Sequence, residues 1–238
     1  MNNNFLEVLK NATKEFGLEL NDDKLNKFEI YKELLKEWNN KINLTAILED
    51  TDIAIKHFAD SLSINEYIKK DGARLIDVGT GAGFPGIPLK IVNDNIDVVL
   101  LDSLEKRTKF LNEVINSLKL DKIGTVHGRA EDFGVNEQYR EKFDYVTARA
   151  VANLPVLLEY CLPFAKVGGL FIAMKGSNID EVQMSQNALK KLGGKIVDIK
   201  EFSLPNSDYK RNVIFVEKIK NTPKGFPRKA GKPSKMPL

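Results

Sequence analysis

The stretch that decides the fold reads Leu75-Ile76-Asp77-Val78-Gly79-Thr80-Gly81-Ala82-Gly83-Phe84-Pro85-Gly86, an apolar run that ends in an aspartate before four closely spaced glycines. A short apolar run bounded by glycines predicts a buried strand that turns directly into a helix. Glycine lets the backbone approach a ligand closely or adopt a positive φ. The free N–H groups at the start of the helix would then face a negative group. The stretch therefore predicts a strand–turn–helix unit that binds a nucleotide-type cofactor.

The glycine spacing alone fits two cofactors. Residues 81–86 match the G-x-G-x-x-G pattern of dinucleotide-binding folds. The next apolar run ends at Asp102, about 20 residues from the glycines, where a carboxylate meets a ribose diol. NAD(P) and S-adenosylmethionine both present such a diol. Asp77 favours S-adenosylmethionine, because it can face a cationic methionine group but would repel a pyrophosphate.

Helical patterns precede the glycine stretch, from residue 4 to about residue 70. Asn21 and the two aspartates after it predict the start of a helix. That helix would bury one apolar face, which carries Leu25, Phe28, Leu35 and Trp38. A further helix is predicted to begin at Thr51 or Asp52 and to bury Ile53, Phe58 and Leu62.

Strands and helices alternate from residue 74 onward. Strands are predicted at 75–78, 98–101, 124–127, 143–148 and 170–174, and a helix at 105–118. Such alternation predicts a doubly wound parallel sheet. Two final strands, 195–202 and 212–219, are joined by a loop too short for a crossover helix, so they should form an antiparallel pair at one edge of the sheet.

This combination predicts an α/β chain with the class I S-adenosylmethionine-dependent methyltransferase fold, a mostly parallel doubly wound sheet with an antiparallel C-terminal hairpin. The expected organisation is an N-terminal helical extension over residues 1–70, the S-adenosylmethionine-binding domain over 71–219 and a basic tail over 220–238. An NAD(P)-dependent dehydrogenase would normally continue into a substrate domain with its own acid and base residues.

Composition narrows the class of protein further. The chain has 238 residues, of which 42% are hydrophobic, enough for one domain and an extension. One cysteine and two histidines offer neither a disulfide framework nor metal-ligand spacing. The N-terminus shows no signal-peptide pattern, and no run approaches about 18 apolar residues. We therefore expect a cytoplasmic protein, monomeric and without a membrane or metal partner.

The charge is distributed unevenly along the chain. The net charge is +3, yet residues 218–238 hold seven basic residues and no acidic one, so the rest of the chain is net negative. Four prolines after residue 222 should keep this tail from forming a helix or a central strand. A basic, extended arm on an acidic body predicts a polyanionic partner, and Phe226 offers a ring on which a base can stack.

The ordered motifs resemble a known family. They are 34–39 (Leu-Leu-Lys-Glu-Trp-Asn), 43–45 (Asn-Leu-Thr), 57–62 (His-Phe-Ala-Asp-Ser-Leu), 77–89 with the glycines, 102–107 (Asp-Ser-Leu-Glu-Lys-Arg), 128–131 (Gly-Arg-Ala-Glu), 148–152 (Ala-Arg-Ala-Val-Ala) and 226–233 (Phe-Pro-Arg-Lys-Ala-Gly-Lys-Pro). The chain resembles the bacterial 16S ribosomal RNA guanine-N7 methyltransferase family, also called glucose-inhibited division protein B. In the last motif the family more often has tyrosine first.

The resemblance implies S-adenosylmethionine as cofactor and 16S ribosomal RNA, in the small subunit or its assembly intermediate, as partner. Gly79 and Phe84 would line the methionine and adenosine side of the pocket, and Asp102 with Ser103 would meet the ribose. Ala130 and Glu131 would address the adenine, as would be expected at the carboxyl edge of an open sheet. The set of expected cofactor-binding residues is Asp77, Gly79, Phe84, Asp102, Ser103, Ala130, Glu131 and Arg149.

Basic residues near the same edge and in the tail are the expected RNA contacts. They are Arg149, Lys175, Arg211, Arg228, Lys229 and Lys232. Arg149 ends the fourth strand and could bind cofactor, RNA phosphate or both, with a structural ion pair as the alternative. The target guanine would have to be unpaired or flipped out of its stack.

The chemistry demands little of the protein. Guanine N7 carries a lone pair and no proton, so an in-line displacement needs no general base, and no catalytic residue is assigned. Cys161 lies in an apolar helical stretch and is expected to be a buried apolar side chain. His57, Asp60 and Ser61 are expected to make local contacts, not a catalytic triad. Two alternatives stay open: an NAD(P)-dependent oxidoreductase and a non-catalytic ribosome assembly factor.

Overall fold

The computed structural model describes residues 4–149, 151–176 and 180–238, and seven strands within them form one sheet. The strands are β1 (Arg74–Val78), β2 (Asp97–Asp102), β3 (Ile123–His127), β4 (Phe143–Arg149), β5 (Ala165–Lys175), β6 (Gly194–Ser203) and β7 (Lys210–Lys218). Their order across the sheet is β3-β2-β1-β4-β5-β7-β6. The pairs among β1 to β5 are parallel, whereas β7 runs antiparallel to both β5 and β6. The predicted mixed sheet with a C-terminal hairpin is confirmed.

Helices precede, connect and follow the strands. They are α1 (Asn4–Lys14), α2 (Asp22–Ile42), α3 (Asp50–Asp52), a π-helix (Ile53–Ala59), α4 (Asp60–Leu62), a 3₁₀ turn (Asn65–Tyr67), α5 (Gly86–Val92), α6 (Glu105–Ser117), α7 (Ala130–Phe133), α8 (Leu154–Cys161), α9 (Glu181–Met184), α10 (Gln186–Leu192) and α11 (Lys232–Lys235). The described residues contain no helix that is long and apolar enough to cross a bilayer.

Helix α2 begins as its cap signal predicts. The Asn21 side chain accepts a hydrogen bond from the Lys24 backbone N at 3.0 Å, which satisfies one of the free N–H groups of the first turn. Phe28 and Tyr31 on its apolar face are fully buried against the same cluster as Leu75 and Leu100 of the sheet. The N-terminal helices therefore share one hydrophobic core with the first two strands.

A second core lies on the other face of the sheet. There Leu157 and Leu158 of α8 pack against Ile76 of β1 and Val146 of β4. Because both faces are covered, these strands present apolar side chains to both sides, as buried parallel strands do. The carboxyl ends of the strands lie along one edge of the sheet, and the site described below lies there.

The expectation of an extended C-terminal arm is wrong. The segment after β7 folds back onto the body and contains the one-turn helix α11, with Pro233 in its first turn, where a missing N–H costs no hydrogen bond. The guanidinium of Arg140 donates to the carbonyls of Thr222 at 2.6 Å and Phe226 at 2.8 Å. Side-chain partners far away in sequence therefore hold the tail against the body.

Candidate cofactor and acceptor site

Asp77 organises the glycine loop from below. Its side chain is fully buried, and its carboxylate accepts hydrogen bonds from Thr80 Oγ1 at 2.6 Å, Gly86 N at 3.0 Å and Thr147 Oγ1 at 3.0 Å. Burial raises the pKa of this carboxyl to about 6, while those hydrogen bonds oppose the rise. Asp77 therefore fixes the turn into α5. Its side chain does not line the cofactor cavity that is described next.

An open cavity of about 330 Å³, called the cofactor cavity below, lies at the carboxyl ends of β1, β2 and β3. It is lined by Val78, Gly79, Leu101, Asp102, Ser103, Leu104, Gly128, Arg129, Ala130, Glu131, Val151, Tyr160, Gly231 and Ser234. Five of the predicted cofactor residues thus come together here: Gly79, Asp102, Ser103, Ala130 and Glu131. Three successive strands supply them, so the cavity extends outward from the centre of the sheet.

Two features suit this cavity to the ribose and methionine parts of S-adenosylmethionine. Gly79 has a φ of +68°, and a Cβ there would approach Val151 Cγ2 to 2.8 Å, so only glycine keeps this wall open. Asp102 is 2% exposed and accepts from Gly81 N and Leu104 N, each at 2.9 Å. Oδ2 also accepts from Arg107 Nη1 at 3.4 Å. These bonds hold the carboxylate in place, and Oδ1, with one donor, retains acceptor capacity for a hydroxyl.

The C-terminal tail lines the outer end of the cofactor cavity. Glu131 Oε1 accepts a hydrogen bond from Gly231 N at 2.9 Å, and the Tyr160 hydroxyl lies 2.6 Å from Ser234 Oγ. Tyr160, Gly231 and Ser234 are lining residues that the sequence did not reveal. Gly231 lies 100 positions from its partner Glu131, and no local pattern signals a contact over that distance.

Phe84 lies elsewhere than predicted. Its ring is buried away from the cofactor cavity and stacks on His57, with ring centroids 4.6 Å apart, and on Tyr31 at 5.5 Å. The guanidinium of Arg149 lies over the same ring at 4.8 Å. Phe84 therefore joins the glycine loop to the N-terminal helices, and it supports the site from the core side.

A second cavity of about 340 Å³, called the basic cavity below, lies at the carboxyl ends of β4 and β5 and the start of β7. Its lining residues are Lys56, His57, Asp60, Arg149, Met174, Lys175, Gly176 and Arg211. Arg149, Lys175 and Arg211, three of the expected RNA contacts, therefore meet in one place. The other three do not line it: Lys229 and Lys232 are exposed on the tail, and Arg228 is paired with Glu159 at 2.6 Å.

One acidic residue holds the basic cavity together. Asp60 Oδ2 accepts from Arg149 Nη1 at 2.9 Å, and Asp60 Oδ1 accepts from Arg211 Nε at 3.0 Å. Lys175 Nζ donates to the Ala152 carbonyl at 2.7 Å and pairs with Glu181 at 2.9 Å. The ion-pair alternative for Arg149 is thus the arrangement observed. Four cations, including Lys56, line this cavity, with Asp60 as the one carboxylate among the lining residues. Glu181 and Asp52 pair with Lys175 and Lys56 from outside the lining, so the cavity keeps a small positive excess.

His57 is a neutral member of this cluster. Burial, together with the charge of Arg149, lowers its pKa to about 3. Arg149 Nη2 lies 3.2 Å from His57 Nδ1, and the Thr45 hydroxyl lies 2.8 Å from Nε2. Arginine can only donate, so Nδ1 accepts and Nε2 carries the proton. Both ring nitrogens are therefore engaged.

The two cavities lie side by side along the edge of the sheet. Asp77 of β1 pairs in register with Thr147 of β4. Gly79 and Arg149 each follow two residues later, so they lie at the same level on adjacent strands. Val151, just beyond Arg149, lines the cofactor cavity, while Ala150 of the same motif lies outside the described residues.

Other reactive residue types take structural roles. Cys161 is fully buried, which raises the pKa of its thiol well above the usual value. The Ser61 hydroxyl donates to the His57 carbonyl at 2.6 Å, a local contact as expected. Within the described part of the chain, His, Cys, Asp and Glu side chains form no group of three placed to hold a metal.

The sheet topology, the glycine loop and the carboxylates after β2 and β3 define a class I S-adenosylmethionine-dependent methyltransferase. Solved structures share the fold. The structure of M. jannaschii TYW2 in complex with AdoMet aligns with a TM-score of 0.53 at 16% identity, covering 67% of this chain and 77% of that one. An Aquifex aeolicus SAM-dependent methyltransferase aligns with a TM-score of 0.53 at 19% identity, covering 71% and 94%.

Sequence relatives define the family. Residues 24–214 match the family described as GidB: rRNA small subunit methyltransferase G, and the chain belongs to this family. The ribosomal RNA small subunit methyltransferase G of Acetivibrio thermocellus is 62% identical over 232 residues, covering 98% of this chain and 96% of that protein. The protein of the same name from Clostridium novyi is 51% identical over 237 residues, covering 98% and 97%. Nothing among these findings favours the oxidoreductase alternative.

Proposed function

We propose that this enzyme transfers the methyl group of S-adenosylmethionine to N7 of a guanine in 16S ribosomal RNA, in the small subunit or its assembly intermediate. One observation carries the proposal: the electropositive basic cavity lies directly beside a cavity whose residues fit the cofactor. The likeness to named small-subunit methyltransferases supports the RNA substrate. A ribosomal substrate also accords with action in the cytoplasm.

The basic cavity has properties that suit an extruded nucleotide. Arg149, Lys175 and Arg211 offer charge-assisted donors for a phosphate or for base acceptors. Their ion pairs with Asp60 and Glu181 hold the side chains in place before RNA arrives, which reduces the entropic cost of binding. A guanine that leaves its stack would find a preorganised cationic site at the edge of the cofactor cavity.

The residues of this site contribute to the reaction by holding the cofactor and the RNA in place. Bound S-adenosylmethionine would supply an activated methyl group on a cationic sulfur. Gly79, Asp102 and Glu131 would hold the cofactor, and Arg149 and Arg211 would orient the RNA. Because guanine N7 carries no proton, none of these side chains has to accept one. His57 agrees with this mechanism, since it is neutral and both of its ring nitrogens are occupied.

The absence of a general base predicts a flat pH–rate profile around neutrality. Single-turnover rates with saturating cofactor and small subunits should change less than about threefold between pH 6.5 and 9. An inflection near pH 7 that persists in single turnovers would reveal a required proton acceptor and contradict this mechanism.

The proposed function is tested by incubating the enzyme with radiolabelled S-adenosylmethionine and undermethylated small subunits, followed by nucleoside digestion and chromatography. We expect the label in 7-methylguanosine. Label in another nucleoside would overturn the guanine-N7 assignment while keeping RNA methylation. If cofactor binds but no small-subunit particle becomes labelled, the assembly-factor alternative replaces the proposal.

A further inference from the structure

We propose that the C-terminal tail, residues 226–238, forms one wall of the cofactor cavity and positions Glu131 to bind the adenine. Binding RNA is not its main role. Two tail residues, Gly231 and Ser234, line the cavity directly. Gly231 N donates to Glu131 Oε1 at 2.9 Å, and Ser234 Oγ lies 2.6 Å from the Tyr160 hydroxyl.

The order of the strands indicates which part of the cofactor this wall meets. Gly79 follows β1, Asp102 ends β2, and Glu131 follows β3, so the three residues occupy successive positions toward the edge of the sheet. With the ribose at Asp102 and the methionine part at the glycine loop, the base falls at the outermost position. There a carboxylate can accept a hydrogen bond from the exocyclic amino group of adenine.

The tail determines how Glu131 faces that base. Glu131 is 8% exposed, and the hydrogen bond from Gly231 occupies one side of its carboxylate. Oε2 is then the oxygen left for the ligand. Without the tail, the carboxylate would lose this fixed partner and would be free to turn toward water. Gly231 is therefore a positioning residue that acts through Glu131.

The tail is anchored firmly enough for such a task. Arg228 Nη2 and Glu159 Oε2 are 2.6 Å apart, with the Glu159 side chain only 1% exposed. The Arg228 backbone N also donates to Glu159 at 2.8 Å. Arg140 binds the carbonyls of Thr222 and Phe226. These anchors precede Gly231, and beyond it the Met236 carbonyl accepts from Arg228 Nη2 at 2.8 Å.

The engagement of Arg228 with Glu159 also weakens its case as an RNA contact. Nε and Nη2 of Arg228 already donate to Glu159 and to the Met236 carbonyl, which leaves few of its N–H groups for a phosphate. Among the tail residues expected to bind RNA, only Lys229 and Lys232 are exposed.

A truncated protein lacking residues 231–238 distinguishes the role of the tail as a cavity wall from its role as an RNA-binding arm. It removes Gly231 and Ser234 but keeps the Arg140 contacts and the Arg228–Glu159 pair. The matched control is full-length protein carrying Lys232→Gln and Lys235→Gln, which loses the same two charges but keeps the wall. Binding of S-adenosylhomocysteine is measured by calorimetry without RNA. We expect the truncation to weaken binding at least tenfold and the control to stay within twofold of wild type.

A second measurement distinguishes positioning from general loosening. S-inosylhomocysteine carries a carbonyl in place of the adenine amino group, and wild type should discriminate against it. The truncation should reduce that discrimination at least fivefold, whereas a purely structural defect would weaken both ligands equally. Equal weakening, or unchanged affinity for S-adenosylhomocysteine in the truncated protein, would overturn the proposal.

A point variant covers the case in which the truncated protein does not fold. Ser234 is exposed, so Ser234→Ala removes its hydroxyl from the cavity wall without opening the core. We expect a two- to fivefold loss in affinity for S-adenosylhomocysteine with an unchanged thermal midpoint. No change in affinity would count against the wall. Since these measurements use no RNA, their outcome is independent of whether the guanine-N7 assignment holds.

Discussion

At the scale of single residues, Asp77 shows how one buried charge shapes the site. Its pKa is raised from 3.8 to about 6, so between these values the native protein binds more protons than the unfolded chain does. The contribution of Asp77 to stability therefore falls as pH rises through this window, and it is lowest above pH 6. At neutral pH the carboxylate is ionised, and its charge lies beneath the glycine loop.

Asp77→Asn should separate this charge from the hydrogen bonds. The Thr147 hydroxyl can accept from the new amide, so we expect the fold to survive. From pH 4 to pH 6 the variant should gain stability relative to wild type by about 2 kcal/mol, measured by urea denaturation. At pH 7.5 its affinity for cationic S-adenosylmethionine should fall about tenfold, and its affinity for S-adenosylhomocysteine should fall less. A constant stability difference across this pH range would contradict a raised pKa.

Arg211 provides the residue-level test of the basic cavity, with Lys210 as its neighbour outside that cavity. Arg211→Gln should lower kcat/KM for small subunits at least tenfold and reduce the salt slope by about one unit, as the loss of one phosphate contact does. Cofactor affinity measured without RNA should not change. Lys210→Gln is the matched control and should stay within about twofold. Equal effects of the two substitutions would indicate a diffuse charge effect and no defined site.

At the scale of secondary structure, local signals predicted most of the elements. Asn21 predicted the start of α2, and short apolar runs predicted the strands, because burial on both faces leaves a continuous apolar pattern. Some boundaries of these elements were not predicted, because the local sequence pattern there is weaker. Strand β5 begins at Ala165, before the predicted residue 170, since Gly168 and Gly169 interrupt its apolar run.

Tyr31 of helix α2 contacts the glycine loop in two ways. The Tyr31 hydroxyl donates a hydrogen bond to the Ala82 carbonyl, and its ring stacks on Phe84. The burial of Phe84 could not be predicted from the loop motif, because the partners that cover its ring come from the N-terminal helices.

Tyr31→Phe should leave the buried Ala82 carbonyl without its donor. We expect a loss of about 1–3 kcal/mol in the free energy of unfolding. Cofactor affinity should also fall severalfold, because the loop backbone loses its restraint. Urea denaturation and calorimetry measure the two effects. Tyr209→Phe, at an exposed tyrosine, is the control and should change neither. Wild-type stability in Tyr31→Phe would mean that the hydrogen bond does not restrain the loop.

At the scale of the whole molecule, the contacts that complete the site join distant parts of the chain. Arg228 and Glu159 are 69 positions apart, and Gly231 and Glu131 are 100 apart. The sequence predicted the lining residues of the cofactor cavity that follow β1, β2 and β3, because those strands have clear patterns. It could not predict the outer wall, since a basic, proline-containing tail has the same composition whether it is docked or free.

The Arg228–Glu159 pair predicts strong coupling between tail and body. Arg228→Met alone should cost about 3–5 kcal/mol, because the buried Glu159 carboxylate would lose its partner. Adding Glu159→Met should restore most of that loss. Chemical denaturation of both single variants and the double variant completes the cycle. A cost below about 1 kcal/mol for Arg228→Met would show that the pair is solvated and the tail loosely held.

A crystal structure with bound S-adenosylhomocysteine tests most directly whether the two cavities form one active site. We predict the ribose hydroxyls at Asp102, the adenine between Glu131 and the tail, and the sulfur directed toward the basic cavity at Arg149. A ligand outside the cofactor cavity, or a sulfur directed away from Arg149 and Arg211, would contradict this arrangement.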